Sequence, residues 1–501
     1  MQIVWFKRDL RVNDHQALAQ AAKHGPFIAL YILEPDLWHQ PDLSRRQYDF
    51  LCESLHDLKA QLLQVHCPLI IRVGYAVDVL QSLIAEFDVS AVLSHQETWN
   101  GWTYRRDIAV KRLLNQLNVT WHEYKQFGVI RGLNDRDGWA RRWYHWVNQS
   151  MESCQDTPQP MSIPGDELPS PEVLGLGQDD CPYRQVGGRE QGLSYLTSFF
   201  QERGLHYTKS MSSPVTAFEA CSRLSPYIAF GCLSIREIYQ WHQKQLDLIE
   251  HCPPQEQRLW RSAHRSFSGR LRWHCHFIQK LEDQPSIEFE NLHPAYDSVR
   301  TEAFNEEFFL AWQDGKTGFP MIDACMRALR ACGWINFRMR AMLMSFASYH
   351  LWLDWRRTAP FLAQQFTDYE PGIHYSQVQM QSGTTGINAI RAYNPIKQGL
   401  DHDPDARFIA RWLPELASLP QKDRHQPWAL HVPDVDYPLP IVDEKIARTQ
   451  ATRLLYAIRQ GSQHRALSQA IVKKHASRRP AHDRRRRKKP PADDMQQELP
   501  L

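Results

Sequence analysis

The fold is decided by residues 26–33, Pro26-Phe27-Ile28-Ala29-Leu30-Tyr31-Ile32-Leu33, an apolar segment without a single charged side chain. Apolar runs of the same kind occur nearby in the chain at 3–6, 68–73 and 89–93. Short continuous apolar runs are typical of strands that are buried on both faces of a sheet. Helix-like segments at 48–65 and 75–87 lie between these runs. Strand–helix alternation predicts an α/β fold with a doubly wound parallel sheet. No Gly-x-Gly-x-x-Gly follows the first run, which argues against a dinucleotide site of the Rossmann type there.

Length and composition indicate a globular protein with more than one domain. The chain has 501 residues, of which 43% are hydrophobic and 23% charged, and this excludes a chain that is disordered throughout. Its 17 Trp, 18 Tyr and 21 Phe fit either an aromatic-lined cavity or a large core. No apolar run approaches the roughly 18 residues of a transmembrane helix, and the charged start is unlike a signal peptide. We therefore expect a cytoplasmic protein with no membrane partner.

The alternating pattern ends after residue 130. Residues 131–190 contain clusters of Pro and Gly, which predict a linker across the surface, and residues 191–460 show helical spacing. Ten Lys or Arg and one Asp lie between Lys473 and Lys489, so residues 461–501 are predicted to form a basic, disordered tail. Such a tail is either merely solvated or binds phosphates without sequence preference. The predicted order is an α/β domain over 1–130, the linker, an all-α domain and the tail.

The cysteines predict neither disulfides nor a metal centre. All ten are scattered, and no Cys-x-x-Cys pair occurs, whereas zinc and iron–sulfur sites need clustered ligands. The segment His274-Cys275-His276 is a local cluster. We expect its side chains to pack or form hydrogen bonds in the core rather than to bind a metal.

Three segments of the helical half carry polar groups in arrangements that suit a ligand. Cys221-Ser222-Arg223-Leu224-Ser225 places hydroxyls and backbone amides before a helix, which fits either a phosphate cradle or a helix cap. Arg338 and Arg340 follow an aromatic stretch at 334–337. The loop 368–374 carries two carboxylates and an imidazole, and it is either a solvated turn or the neighbour of a cofactor. None of the three identifies a function alone.

Together and in this order, the segments resemble the photolyase/cryptochrome superfamily. The resemblance runs over residues 1 to roughly 420 and rests on Val4 to Asp14, Ser222 to Tyr227 with Phe230-Gly231, Gly315 to Pro320, Gly333-Trp334-Ile335, Asp354-Trp355-Arg356 and Phe408 to Leu416. It implies an α/β antenna domain packed on an all-α, FAD-binding C-terminal domain. It also allows a second antenna chromophore of folate or flavin type, whose identity stays open.

The resemblance implies roles for individual residues around FAD. The diphosphate and ribityl chain would be held by Tyr207, Cys221, Ser222, Arg223, Leu224 and Ser225. A salt bridge between Arg340 and Asp368 would lie over the isoalloxazine. The hydrogen-bonding edge of that ring would face Asp368, Tyr369 and Glu370. His374 would face flavin N5, where its charge state tunes the reduced flavin.

The pocket for a flipped-out pyrimidine lesion departs from the pattern of cyclobutane-dimer enzymes. Trp273 matches the indole on which the bases stack, but Arg270 stands where a glutamate is usual. Further replacements in this pocket are Phe337, Ala341 and Met380. Of the tryptophan triad for electron transfer Trp355 alone remains, because Val378 and Glu302 occupy the other two positions. Another aromatic route is open through Trp352, Tyr349, Tyr375 or Tyr393.

These observations predict a FAD-dependent, blue-light-driven DNA photolyase that acts as a monomer on DNA containing pyrimidine lesions. Its catalytic residues would be Arg270, Trp273, His374 and Trp355. The altered triad and pocket leave a second hypothesis, a cryptochrome-like photoreceptor that signals through a partner and repairs nothing. A third is a DNA-binding flavoprotein whose light response is vestigial.

Overall fold

The N-terminal third of the chain is built on one parallel sheet. The structure is a computed structural model that describes residues 1–152, 160–429 and 435–477. Its strands are β1 (Gln2–Phe6), β2 (Phe27–Leu33), β3 (Leu69–Val73), β4 (Ala91–His95) and β5 (Thr120–Tyr124). They lie in the order β3-β2-β1-β4-β5, and every neighbouring pair is parallel. The doubly wound sheet predicted from the apolar runs is confirmed.

The side chains of strand β1 show that the sheet is buried on both faces. Its side chains alternate between two cores: Val4 and Phe6 belong to a large core that continues into the helical half, whereas Ile3 and Trp5 belong to a smaller core on the other face. Alternation with a period of two produces this division. The large core therefore joins the sheet to the helical half without a break.

The helices follow the predicted order. In the first 152 residues they are α1 (Gln16–His24), α2 (Pro35–Trp38), α3 (Arg45–Gln64), α4 (Ala76–Phe87), α5 (Gly101–Gln116) and α6 (Trp139–Val147). The helical half begins with α7 (Arg189–Ser198), α8 (Tyr207–Ser210), α9 (Ala217–Ala220), α10 (Ser225–Ala229), α11 (Ile235–Leu248) and the long α12 (Pro254–Asp283). It continues with α13 (Glu306–Gln313), α14 (Pro320–Cys332), α15 (Phe337–Ser345), α16 (Trp355–Gln365), α17 (Pro371–Ser382), α18 (Pro395–His402), α19 (Arg407–Trp412), α20 (Glu444–Ile458) and α21 (Ser462–His475). Single π-helical turns extend α7 and α15 at Phe199–Arg203 and Phe346–His350.

The region between the two halves is more ordered than a simple linker. It contains α6, whose Trp139, Trp143 and Trp146 are all buried, at the spacing of one helix face. Further along, the amide of Met161 donates to the carbonyl of Phe27 at 2.9 Å, which ties the segment to β2. The prediction of a surface linker over 131–190 missed this helix, whose buried face consists of these three indoles and Val147.

The prediction of a disordered tail over 461–501 is wrong for its first part. Residues 462–475 form α21, and Ile471 packs against the cluster of Leu281, Ile287 and Leu292. His464 stacks on His293 with ring centres 4.2 Å apart. The arginine run at 484–489 lies outside the described residues.

Two of the sequence motifs meet where the two halves join. The amide of Leu10 donates to the carbonyl of Phe230 at 3.2 Å, and Arg11 Nη1 donates to the carbonyl of Gly231 at 3.0 Å. Gly231 has a φ of +68°, and a Cβ there would lie 2.1 Å from the carbonyl oxygen of Arg8. Only glycine fits this contact. Within the described ranges, no helix combines the length and the apolar character needed to cross a membrane.

Candidate functional site

A cavity of about 630 Å³ opens in the helical half. Its wall contains every site residue predicted from the sequence except Trp355: Tyr207, Cys221, Ser222, Arg223, Leu224, Ser225, Arg270, Trp273, Arg340, Asp368, Tyr369, Glu370 and His374. These residues come from α8, the start of α10 and the turn before it, α12, α15, and α17 with the segment that leads into it. The fold therefore brings residues that are up to 167 positions apart in the chain to one surface.

A salt bridge crosses the cavity wall between α15 and the loop before α17. Arg340 Nη1 and Nη2 donate to Asp368 Oδ1 and Oδ2 at 2.9 and 2.8 Å, in bidentate geometry. Arg340 Nε donates to the carbonyl of Ile335 at 2.7 Å, and its guanidinium lies 4.2 Å from the ring centre of Phe366. The predicted pairing is confirmed, while its position relative to a flavin stays a prediction.

Side-chain hydrogen bonds fix the segment Cys221 to Ser225. Arg203 Nη1 donates to the carbonyl of Cys221 at 2.7 Å, and Arg223, with a φ of +58°, donates from Nε to Gln185 Oε1 at 3.0 Å. Among the residues that the structure describes, no side chain caps α10, which is only five residues long, so the helix-cap interpretation is wrong. Burial raises the pKa of the Cys221 thiol to about 12, which keeps it protonated.

The loop before α17 also contacts the α/β domain. Tyr369 donates its hydroxyl proton to Asp42 Oδ2 at 2.6 Å. Glu370 lines both the large cavity and a small one of about 20 Å³ that it shares with Arg8. Burial raises the pKa of Glu370 to about 8, although the nearby Arg8 cation opposes the rise. At neutral pH this carboxyl group is therefore mostly a protonated donor.

His374 sits in the first turn of α17 with a defined tautomer. Its Nε2 lies 2.9 Å from the carbonyl oxygen of Ala359, and because a carbonyl accepts only, Nε2 carries the proton. Burial lowers the pKa of His374 to about 4, so the ring is neutral at pH 7 and Nδ1 is an acceptor. Gly372 permits this placement: a Cβ there would lie 2.6 Å from Ile278 Cα on α12.

The α12 side of the cavity carries the residues predicted for a lesion. Arg270 Nε donates to the hydroxyl of Tyr207 at 3.3 Å, and Trp273 lies 4.8 Å, ring centre to ring centre, from His276. Arg270 forms no ion pair with a carboxylate in the part of the chain that the structure describes. One helix thus presents an indole and a cation to the cavity.

Comparison with known proteins places this architecture in a family. Residues 2–130 match the model of DNA photolyase, and residues 267–457 match the model of the FAD binding domain of DNA photolyase. The chain belongs to the photolyase/cryptochrome superfamily. Its α/β domain and its helical, FAD-binding domain are those of this superfamily.

Photolyases and cryptochromes both appear among the relatives of this superfamily member. The chain is 29% identical to the deoxyribodipyrimidine photo-lyase of Escherichia coli (strain K12) over 488 residues, which cover 92% of this chain and 99% of that protein. It is 27% identical to cryptochrome DASH of Gloeobacter violaceus over 481 residues, 88% of this chain and 93% of that protein. The crystal structure of a bacterial class III photolyase from Agrobacterium tumefaciens superposes with a TM-score of 0.78 at 25% identity, covering 92% of this chain and 98% of that one.

The polar atoms of the cavity fit the cofactor of this superfamily. Six buried polar atoms in the wall have no hydrogen-bond partner among the described residues: His274 Nδ1, Asn336 Oδ1, Arg338 Nε, Glu370 Oε1, Gln377 Oε1 and His475 Nδ1. Buried polar atoms without a hydrogen-bond partner are rare in folded proteins, so a group of them in one cavity wall indicates a ligand-binding surface. A ligand with many donors and acceptors, such as FAD, satisfies such a wall.

Trp355 lies behind the cavity rather than in it. The indole is 1% exposed, and its Nε1 donates to Asn291 Oδ1 at 2.8 Å. Its ring centre is 6.2 Å from that of Tyr375, which in turn is 5.2 Å from that of His374. This contact series links Trp355 to the cavity wall although Val378 replaces the inner tryptophan of the usual triad.

Sequence reasoning missed the basic end of the cavity. Lys280, His276 and His475 all line it, and all three are at least nine-tenths buried. The signal was present, since Trp273, Phe277 and Lys280 follow the i, i+4, i+7 spacing of one helix face. His475 gave no signal, because it belongs to the region predicted as a tail.

Proposed function

We propose that this protein is a DNA photolyase that uses FAD and blue light to split pyrimidine lesions in DNA. The observation that carries the proposal is one cavity that joins the Arg340–Asp368 pair to Arg270 and Trp273. A flavin and a flipped-out lesion would share this cavity, which is the arrangement that light-driven repair requires.

The FAD would occupy the part of the cavity lined by Tyr207, Cys221 to Ser225 and the Arg340–Asp368 pair. When bound, it supplies the light-driven one-electron chemistry of the superfamily. Ser222 and Ser225 would offer hydroxyl donors to the diphosphate, and the neutral Cys221 thiol would add a weak donor. Arg340 neutralises Asp368, so the carboxylate can lie beside a ring system without a net buried charge.

Two side chains would set the protons at the ring. His374 is fixed as the Nε2–H tautomer by Ala359, so its Nδ1 would accept a hydrogen bond and would not donate one at neutral pH. Glu370, whose burial raises its pKa to about 8, would act as a donor. The chain thus offers one acceptor and one donor in fixed positions, which is a form of electrostatic preorganisation.

The lesion side would bind by stacking and by cationic donors. Trp273 offers a π-face on which an unstacked pyrimidine can lie. Arg270 can donate to carbonyl oxygens of the bases, which an ionised glutamate at this position could not do. The apolar side chains of Phe337, Ala341 and Met380 in the same wall would exclude water from the lesion.

The direct test is a repair assay with a matched stacking variant. Purified, photoreduced protein is mixed with an oligonucleotide that carries one thymine dimer, and dimer loss is followed under blue light and in the dark. We expect light-dependent loss with the wild type. Because stacking contributes about 1–3 kcal/mol per base, Trp273→Leu should bind the dimer at least about fivefold more weakly. Trp241→Leu changes an indole on α11 outside the cavity and should behave as the wild type.

The competing function is a cryptochrome-like photoreceptor. The replacement of two triad positions by Val378 and Glu302 favours it, as does the similarity to cryptochrome DASH. Under this hypothesis the wild type would reverse neither cyclobutane dimers nor six-four products, and light would change the protease sensitivity of the arginine-rich C-terminal segment. Repair of either lesion by the wild type, lost in Trp273→Leu, would exclude it.

A further inference from the structure

The basic end of the cavity contains a buried amine that lacks a counter-ion. Lys280 is 7% exposed, and its Nζ lies 5.0 Å from the ring centre of Phe277. Across the residues described, 1–152, 160–429 and 435–477, no carboxylate pairs with it. Asp283, three residues further along α12, pairs with Arg136 at 3.2 Å instead. A buried cation without a partner is costly, which indicates that an anion belongs here.

The groups around Lys280 do not supply that anion. Burial lowers the pKa of His475 to about 3 and holds the pKa of His276 well below its usual value, so both imidazoles are neutral. His475 Nε2 lies 2.9 Å from Gln284 Oε1. Burial and the charge of Arg136 lower the pKa of Lys280 itself to about 7. A bound anion would restore the charged ammonium form.

The proposed position of the FAD diphosphate is too far from Lys280 for that group to be this anion. Arg270 touches Tyr207 beside the segment proposed for that diphosphate, and Lys280 is ten residues further along the same helix. With a rise of 1.5 Å per residue, the two lie about 15 Å apart along the helix axis. An anion that binds Lys280 would therefore be a second one, at the other end of the cavity.

The neighbouring helix indicates the source of the anion. Val472, His475, Ala476 and Ser477, at and after the end of α21, line the same end of the cavity. The next residues in the sequence begin the run Arg478-Arg479, which is followed by six consecutive Arg and Lys at 484–489. A sequence with this density of positive charge is suited to a polyanion rather than to a single small metabolite.

We propose that Lys280 binds one backbone phosphate of the DNA strand that enters the cavity, at a subsite walled by His276 and His475. The subsite rests on the repair function proposed above and adds one specific strand contact to it. Lys280 is a binding residue in this scheme and takes no part in splitting the lesion.

The test couples one lysine to one phosphate. Dimer-containing oligonucleotides are prepared with a single uncharged methylphosphonate at each position around the lesion, and their dissociation constants are measured with the FAD-loaded protein. Removing one phosphate contact at 0.1 M salt should weaken binding about tenfold. We expect the wild type to lose about tenfold at one position. Lys280→Met should bind the unmodified strand about tenfold more weakly, lose nothing further at that position, and show a salt slope smaller by about one.

Controls separate this contact from folding and from the repair function. Lys244→Met removes an exposed lysine of α11 and should match the wild type, and Lys280→Arg should retain most of the affinity. Flavin content and thermal midpoint equal to those of the wild type show that Lys280→Met folds.

If Lys280→Met keeps full sensitivity to every methylphosphonate, or binds as the wild type does while dimers are still repaired, the subsite is refuted and the repair function stands. Competition by inorganic phosphate with no responsive strand position would likewise refute a DNA contact. A wild type that does not bind dimer DNA would overturn the repair function and the subsite together.

Discussion

Replacing Arg340 with alanine leaves the carboxylate of Asp368 without its cation in the cavity wall. The side chain of Asp368 is 4% exposed and that of Arg340 is 24% exposed, and two hydrogen bonds of 2.9 and 2.8 Å join them. Removing one partner of a buried pair costs about 3–5 kcal/mol. Because Arg340 is partly open to solvent, we expect a loss near the lower end, about 3 kcal/mol, in the free energy of unfolding.

The same substitution should release the cofactor. A deficit of only about 1.4 kcal/mol in the complex weakens affinity tenfold, so Arg340→Ala should lose most of its flavin during gel filtration. The assay is flavin absorbance per chain, together with the denaturant midpoint. Asp368→Asn in the Arg340→Ala background removes the unpaired charge and should recover part of the stability, because the two residues are coupled. A variant that keeps its full flavin content and the wild-type midpoint would refute this reasoning, and so would a double variant that is no more stable than Arg340→Ala.

Three further predictions follow from backbone geometry and burial. Gly231→Ala should lower the thermal midpoint strongly, because its Cβ would lie 2.1 Å from the carbonyl of Arg8, whereas Gly132→Ala, with the same φ of +68° and open space, should cost only about 1 kcal/mol; equal shifts would contradict this. Burial lowers the pKa of His374 from 6.5 to about 4, so the unfolded chain binds more protons and stability falls with decreasing pH. Urea unfolding should show that the wild type loses about 2 kcal/mol more unfolding free energy than His374→Gln between pH 8 and pH 5. Equal losses in the two proteins would contradict this prediction. Burial raises the pKa of Glu370 from 4.5 to about 8, so its contribution to stability is complete below pH 4.5 and is lost as pH rises through 8. The difference in unfolding free energy, Glu370→Gln minus wild type, should therefore be larger at pH 9 than at pH 5. A difference that is the same at both pH values would count against this prediction.

The parts of the fold predicted correctly are those in which one physical effect dominates. The apolar runs of β1 to β4 have few other places in a soluble protein than the interior of a parallel sheet. Strand β5 has no such run, and all five residues of Thr120–Tyr124 are exposed or half-buried, so periodicity alone did not reveal it. Helix α21 was missed for the opposite reason: its basic composition resembles a solvated tail, while Ile471 and His464 find partners that are distant in sequence.

The candidate site shows the same division. Residues in recognisable motifs, such as Arg340 and Asp368, could be predicted as a pair and are found as one. The tautomer of His374 depends on the carbonyl of Ala359, and the protonation of Glu370 depends on its burial, neither of which a motif encodes. Lys280 was overlooked because lysine is normally a solvated residue, and its burial depends on tertiary packing, which includes the contact of α12 with α21.

The central claim is that the cavity lined by the Arg340–Asp368 pair binds FAD. The most direct measurement is the visible absorption spectrum of the purified protein after incubation with excess FAD and gel filtration, followed by release and identification of the bound compound. We predict flavin bands, with about one FAD released per chain on denaturation. A protein that stays colourless after this treatment, although it is folded by circular dichroism, would contradict the claim.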